Sequence, residues 1–136
     1  MTATQELANL DASICGDANE FCKLFYEAMD QRREKVSLMY TDAACMVWNG
    51  HAITGQANIH TFLVGLPPTT HMLRSIDAQA VTAEEYTAGQ KAMMILTGGT
   101  VNVNQRTRCF TQTFLLTKDT LSNMWKIASD RFRFID

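Results

Sequence analysis

What this sequence lacks narrows its function before anything it contains. There is no excess of charge: 12 Lys and Arg stand against 14 Asp and Glu, for a formal net charge of −2. Tight binding to DNA or RNA relies on clustered basic residues that neutralise phosphates, and an anionic membrane draws on the same attraction. The densest basic stretch, Arg32-Arg33 with Lys35, is interleaved with Asp30 and Glu34 and reads as a solvated helix face. No apolar run approaches the roughly 20 residues that span a bilayer. The start, Met1-Thr-Ala-Thr-Gln-Glu6, has neither the basic region nor the apolar core of a signal peptide. A soluble intracellular protein without a membrane partner is expected.

The marks of a chemical centre are missing too. Cys15, Cys22, Cys45 and Cys109 form no C-x-x-C pair and no zinc-ligand spacing, so free thiols in a reducing compartment are expected. His51, His60 and His71 are never four residues apart, which argues against a metal site. No Gly-rich phosphate loop, H-E-x-x-H, G-x-S-x-G or EF-hand loop occurs, and Gly98-Gly99 is too short a signal for a nucleotide. Asp130 could be a general base if apolar surroundings raised its pKa. No second acid, His or Tyr can be placed beside it from sequence, and a buried acceptor that orders the interior is the simpler reading. The expectation is a protein that is not an enzyme, with no catalytic residue, cofactor or metal.

What is present describes one compact α+β domain over residues 1–136. A chain of this length buries about two-thirds of its unfolded surface, and its 46% hydrophobic and 19% charged content is that of an ordinary globule. Leu7, Leu10, Ile14, Ala18, Phe21, Phe25 and Ala28 recur at three and four, which predicts a long amphipathic helix with a possible bend at Gly16. Asp30 is a candidate cap for a second, shorter helix that turns Val36, Met39 and Tyr40 inward. Asn49-Gly50, between Ala44–Trp48 and His51–Thr54, is a hairpin signal, because both residues accept the positive φ of a type I′ turn. A third helix follows over Ala57–Val64, stopped by Gly65 and Pro67-Pro68.

Beyond the prolines the pattern becomes alternating. Strands are expected at His71–Gln79, Gln90–Val103, Thr107–Thr117 and Asn123–Phe134, joined by turns at Glu84–Gly89, Asn102–Gln105 and Asp119–Asn123. Gly98-Gly99 marks a bulge or sharp bend. Helices first and strands last give three helices packed on one face of a mainly antiparallel sheet. Strict alternation along the final strand puts Lys126, Ala128, Asp130, Phe132 and Phe134 on one face and Trp125, Ile127, Ser129, Arg131 and Arg133 on the other. Aromatics and arginines together are the composition of a protein–protein contact. One side of the sheet is therefore read as covering the core and the other as docking a second protein, with a partner carboxylate answering the arginines.

Four stretches carry a family resemblance: Met46-Val-Trp-Asn-Gly50, Thr54-Gly-Gln56, Leu66-Pro67 and Trp125-Lys-Ile-Ala-Ser-Asp-Arg-Phe-Arg-Phe134. Over nearly its whole length the chain resembles the small export cofactors related to nuclear transport factor 2, which pair with a large mRNA export receptor of the Tap type. The resemblance implies a cone-shaped fold whose curved sheet packs against the nuclear transport factor 2-like domain of that receptor. It implies a non-catalytic adaptor of the nucleus and nuclear pore that shuttles to the cytoplasm. Such a heterodimer engages Phe-Gly nucleoporins, and the adaptor meets mRNA only indirectly. In that family an Arg in the final Phe-Arg-Phe pairs with a receptor Asp, and the matching position is Arg133. Arg131, Ile95, Thr111 and Thr113 are assigned to the same face by parity and likeness.

Two alternatives belong to the same fold. A homodimeric Ran–GDP import carrier uses acidic residues after the hairpin Trp and in the loop after the Gly-containing strand. Here those places read Asn49 and Val101-Asn-Val-Asn-Gln105, without a carboxylate, which argues against Ran. A small-molecule isomerase or dehydratase requires an open polar pocket lined by Asp130.

Overall fold

The computed structural model describes residues 2–81 and 90–136. Helix α1 runs Ala3–Gln31, opened by a capping box in which the Thr2 hydroxyl accepts from the Gln5 amide and the Gln5 side chain accepts from the Thr2 amide. It passes through Gly16 without a break. Ile14, Ala18, Phe21, Cys22, Phe25, Tyr26 and Met29 are buried, the expected stripe widened by Cys22, Tyr26 and Met29 in the second half of the helix. Leu10 is exposed instead of inward, and the Leu7 side chain lies outside the described residues.

A 3₁₀ turn, Arg33–Met39, replaces the expected second helix, and Asp30 does not cap it. Asp30 still belongs to α1, and its carboxylate reaches across to Thr69 and His71. Val36 is buried as foreseen, while Tyr40 opens strand β1, Tyr40–Trp48. Asn49 and Gly50 turn the chain at φ 48° and 85° into β2, His51–Thr54, the type I′ geometry that Asn-Gly favours. Helix α2 is Gln56–Val64, with Ile59 and Leu63 buried.

The four later strands are β3 Thr69–Val81, β4 Ala92–Val103, β5 Arg106–Lys118 and β6 Trp125–Phe134. All four agree with expectation to within two residues at each end. The turn expected at Glu84–Gly89 lies outside the described residues. The sheet order is β2-β1-β6-β5-β4-β3, antiparallel except where β6 runs parallel to β1. The arrangement is the expected α+β one, helices on one face of a curved, mostly antiparallel sheet.

Bulges shape that sheet. Between β3 and β4 the register slips from Leu73–Gly99 to Ser75–Gly98, so Arg74 is the extra residue. Gly99 sits where a Cβ would come within 2.1 Å of the Met72 carbonyl oxygen, and no side chain fits there. A second slip, between Leu115–Ser129 and Leu116–Ile127, places an extra residue in β6. Each bulge bends its strand and reverses the alternation beyond it. The concave side closes on α1 with an aromatic core: Phe114 meets Phe21 and Phe25 edge-on, and Trp48, Phe132 and Phe110 stack in series. Each fully buried Phe contributes about 1.5–3 kcal/mol through the area it removes from water.

Candidate functional site

The bulge in β6 settles which side chains share a face. Between Asp130 and Phe134 the alternation is regular: Asp130 and Phe132 are buried and Arg131 and Arg133 exposed. Across the bulge it inverts, and Ile127 is buried in the core beside them. Trp125 follows Ile127 to the helical side, where its indole N–H donates to the Asp17 carboxylate of α1 at 2.9 Å. The expectation that Trp125 and Ile127 stand with the arginines is therefore overturned. Ile95 is corrected as well: it is 0% exposed, on the concave side of β4 and out of reach of any partner on the outer face.

The remaining four expected residues do come together. Thr111 is paired with Arg133 and Thr113 with Arg131 across β5 and β6. They line a shallow concavity of about 160 Å³ with Val47 and Gly50. Neither arginine is in an ion pair among the described residues. The row continues outward from Arg131 through Thr113 to Leu96, and on its other side to Val47. Met72, Met94 and Leu96 are exposed on this same convex face. Those three were not assigned to the site from sequence; for Met94 and Leu96 the signal was the apolarity of β4 on both faces.

The concave side carries the opposite arrangement. Asp130 is 1% exposed, and its carboxylate accepts from the Tyr40 hydroxyl at 2.6 Å and the Gln112 amide at 2.8 Å. The Gln112 side-chain oxygen accepts from the Tyr26 hydroxyl at 2.6 Å, and Tyr26 also meets the Thr97 hydroxyl at 2.8 Å. Burial pushes the Asp130 carboxyl up to about 6, with the Tyr40 and Gln112 bonds pulling the other way. Burial, and the nearness of Asp130, raise Tyr40 well above its ordinary range. Tyr40 does stand against this acid and Tyr26 reaches it through Gln112, which sequence could not show, because the two tyrosines come from the start of β1 and from α1. Both carboxylate oxygens are engaged by Tyr40 and Gln112 in holding the core.

A second polar cluster fastens the end of α1. The His71 ring nitrogen lies 2.6 Å from Asp30, whose other oxygen accepts from the His71 amide at 2.8 Å. Burial raises the Asp30 carboxyl, and the His71 and Thr69 bonds outweigh it to leave the group below its ordinary value. Arg33 donates to the carbonyls of Met29, Leu63, Leu66 and Pro67 and to the Thr69 hydroxyl. It is a staple between α1, α2 and β3, and the solvated-face reading of Arg33 is corrected. Arg32 keeps that reading, exposed against Glu27 at 3.5 Å.

With this geometry in hand, comparison with known proteins is direct. The model of the nuclear transport factor 2 (NTF2) domain matches residues 17–134. The chain belongs to the nuclear transport factor 2 family. Within it, the chain is 38% identical to an NTF2-related export protein of Caenorhabditis elegans, over 100% of this chain and 98% of that protein. It is 39% identical to NTF2-related export protein 2 of Bos taurus, over 90% and 87%. Among solved structures the fold is similar to nuclear transport factor 2 from Cryptosporidium parvum, with a TM-score of 0.78 at 18% identity over 90% of this chain and 94% of that one. It is also similar to a chain of the Mtr2–Mex67 M domain complex of C. albicans, with a TM-score of 0.72 at 12% identity over 90% and 96%. A putative dehydratase from Streptomyces avermitilis shares the fold as well, with a TM-score of 0.69 at 15% identity over 95% and 99%, so family membership alone does not decide between transport and catalysis.

Proposed function

We propose that the chain is a non-catalytic export adaptor that pairs, through the convex face of its sheet, with the nuclear transport factor 2-like domain of a larger mRNA export receptor. The pair engages Phe-Gly nucleoporins and moves mRNA from the nucleus through the pore, the adaptor shuttling with its receptor. The observation that carries this reading is the juxtaposition of Arg131 and Arg133, neither in an ion pair among the described residues, with Thr111 and Thr113 on a face that also exposes Met94 and Leu96. Guanidinium groups beside apolar surface are the ordinary make-up of an interface centre, where each Arg can take a carboxylate in two hydrogen bonds. The relatives are named export proteins, and one structural neighbour was solved as a complex with the M domain of Mex67.

The buried side supports the non-catalytic half. Asp130 is the acid a dehydratase or isomerase reading needs, and it is shut from solvent with both oxygens engaged. The hairpin position a Ran carrier fills with an acid is Asn49, whose side-chain oxygen accepts from the Phe134 amide at 2.8 Å and helps close the sheet.

The test is co-elution with the receptor's matching domain. The wild-type chain should form a one-to-one complex, and Arg133→Glu should weaken it by about 2–5 kcal/mol, because the partner's carboxylate is left buried and opposed. A complex indifferent to both Arg133→Glu and Arg131→Glu would remove the convex face from the account.

A further inference from the structure

On the convex face two positive charges stand side by side with nothing on the chain to neutralise them. Arg131 and Arg133 are two residues apart on β6, which sets their Cα atoms about 7 Å from each other. Thr113 and Thr111 lie directly opposite on β5, where paired Cβ atoms are about 4.5–5.5 Å apart. The four side chains border one hollow of about 160 Å³, completed by Val47, Gly50 and Phe132. No acid lines it, and neither guanidinium is in an ion pair among the described residues. Two like charges at about 7 Å repel by roughly 0.6 kcal/mol even in water, a cost that an anion between them converts to attraction.

Size, charge and donor count define the anion. The hollow is smaller than the range of about 300–1,000 Å³ that takes drug-sized ligands, and it suits a single ionic group. A carboxylate brings one charge and two oxygens, enough for one guanidinium fork. A phosphoryl group brings up to two charges and at least three acceptor oxygens, which match two forks and leave an acceptor for a threonine hydroxyl. A long polyanion fits less well, because the whole chain carries a net charge of −2 and would repel it beyond the hollow.

We infer that this hollow binds the phosphoryl group of a small phosphate, either inorganic phosphate or a phosphomonoester. Arg131 and Arg133 clamp the group from one side, and the Thr111 and Thr113 hydroxyls donate from the other. The anion site needs only the free chain. Its consequence rests on the export reading: the same hollow then seats the receptor, so bound phosphate competes with the receptor's carboxylate and must leave before docking.

The probes are inorganic phosphate and AMP, titrated into the full free chain at an ionic strength held constant with sodium chloride. The Arg131 and Arg133 side-chain N–H signals are followed by NMR. A saturable shift is expected, weakened about tenfold or more in Arg131→Gln with Arg133→Gln and about threefold in Thr111→Val, each variant's fold being checked by its Tm. Tighter binding of AMP assigns the ligand to a nucleotide and equal binding to the free ion, and both support the site. Absence of a saturable shift overturns the proposal, as does equal binding of the monoanion nitrate or undiminished binding in the double arginine variant. Phosphate should also weaken the complex with the receptor's matching domain more than chloride of equal ionic strength does; a complex that phosphate leaves unmoved overturns the competition. Failure to form any complex would remove the export reading alone, since the free-chain titration does not depend on it.

Discussion

On the concave side of the sheet, Asp130 is closed from water with both oxygens bonded. One and three residues further along the same strand, Arg131 and Arg133 stand in solvent without an ion pair among the described residues. The contrast separates two uses of a charged side chain. A buried charge is tolerable only when its hydrogen bonds are complete, and a network so completed fixes one arrangement of the core. An exposed charge costs little by itself and acquires value when a partner removes the water around it. The inner face should therefore govern folding and the outer face association.

The largest test of that division is Phe114→Ala. Its ring lies against Phe21 and Phe25 at the centre of the core, and its loss should cost about 3–5 kcal/mol, read as a fall in the urea midpoint. A loss below about 1 kcal/mol would mean that the concave side is not the stabilising one.

Next comes the pH profile of Asp130. Its folded pKa of about 6 lies above the ordinary value of 3.8, so between these pH values the folded chain keeps a proton that the unfolded chain has released. Stability from this group is thus greatest below about pH 4 and declines as pH rises to 6, by about 3 kcal/mol. Asp30, with its carboxyl lowered, contributes in the opposite sense and loses its share as pH falls. Urea unfolding across pH 4–7 should show the decline in the wild type and a flatter profile in Asp130→Asn; an unchanged slope in the variant would assign it to another group.

Gly99→Ala sharpens the comparison at the bulge. The added Cβ meets the backbone oxygen of Met72, which cannot turn aside, and the cost should be about 1–3 kcal/mol in thermal unfolding. Gly98→Ala faces only the Ser75 hydroxyl at 3.1 Å, a side chain free to rotate, and should cost less. The smallest expected effect is that of Arg131→Glu with Arg133→Glu on the isolated chain: within about 0.5 kcal/mol of wild type, since nothing within the described residues pairs with them. A larger loss would show that the outer face serves the fold as well.

Much of this architecture was legible from residue order, because it depends on near neighbours. The three- and four-residue recurrence from Ile14 to Phe25 is sufficient for α1, Asn49-Gly50 for the first turn, and alternation between turn residues for the later strands. The arginine pair and its threonines could be placed on one face for the same reason: no bulge interrupts β5 or β6 between them. Ile95 could not, since β4 is apolar on both sides and a period of two then has no preferred phase.

The remainder was decided by contacts between distant segments. Ile127-Ala128-Ser129 contains no glycine or proline to announce a bulge, yet one extra residue there returns Trp125 and Ile127 to the helical side. Arg33 reads as one charge in a mixed run until folding brings four carbonyls around it, three of them from about 30 residues away. Asp130 gains Tyr40 from β1, 90 residues earlier in the chain, and is tied to Tyr26 of α1 only through Gln112. Sequence fixes periodicity and turns because torsions and neighbouring side chains set them locally. Register, bulge position and the partners of a buried charge depend on which strands and helices meet, and that is set by packing the whole core at once.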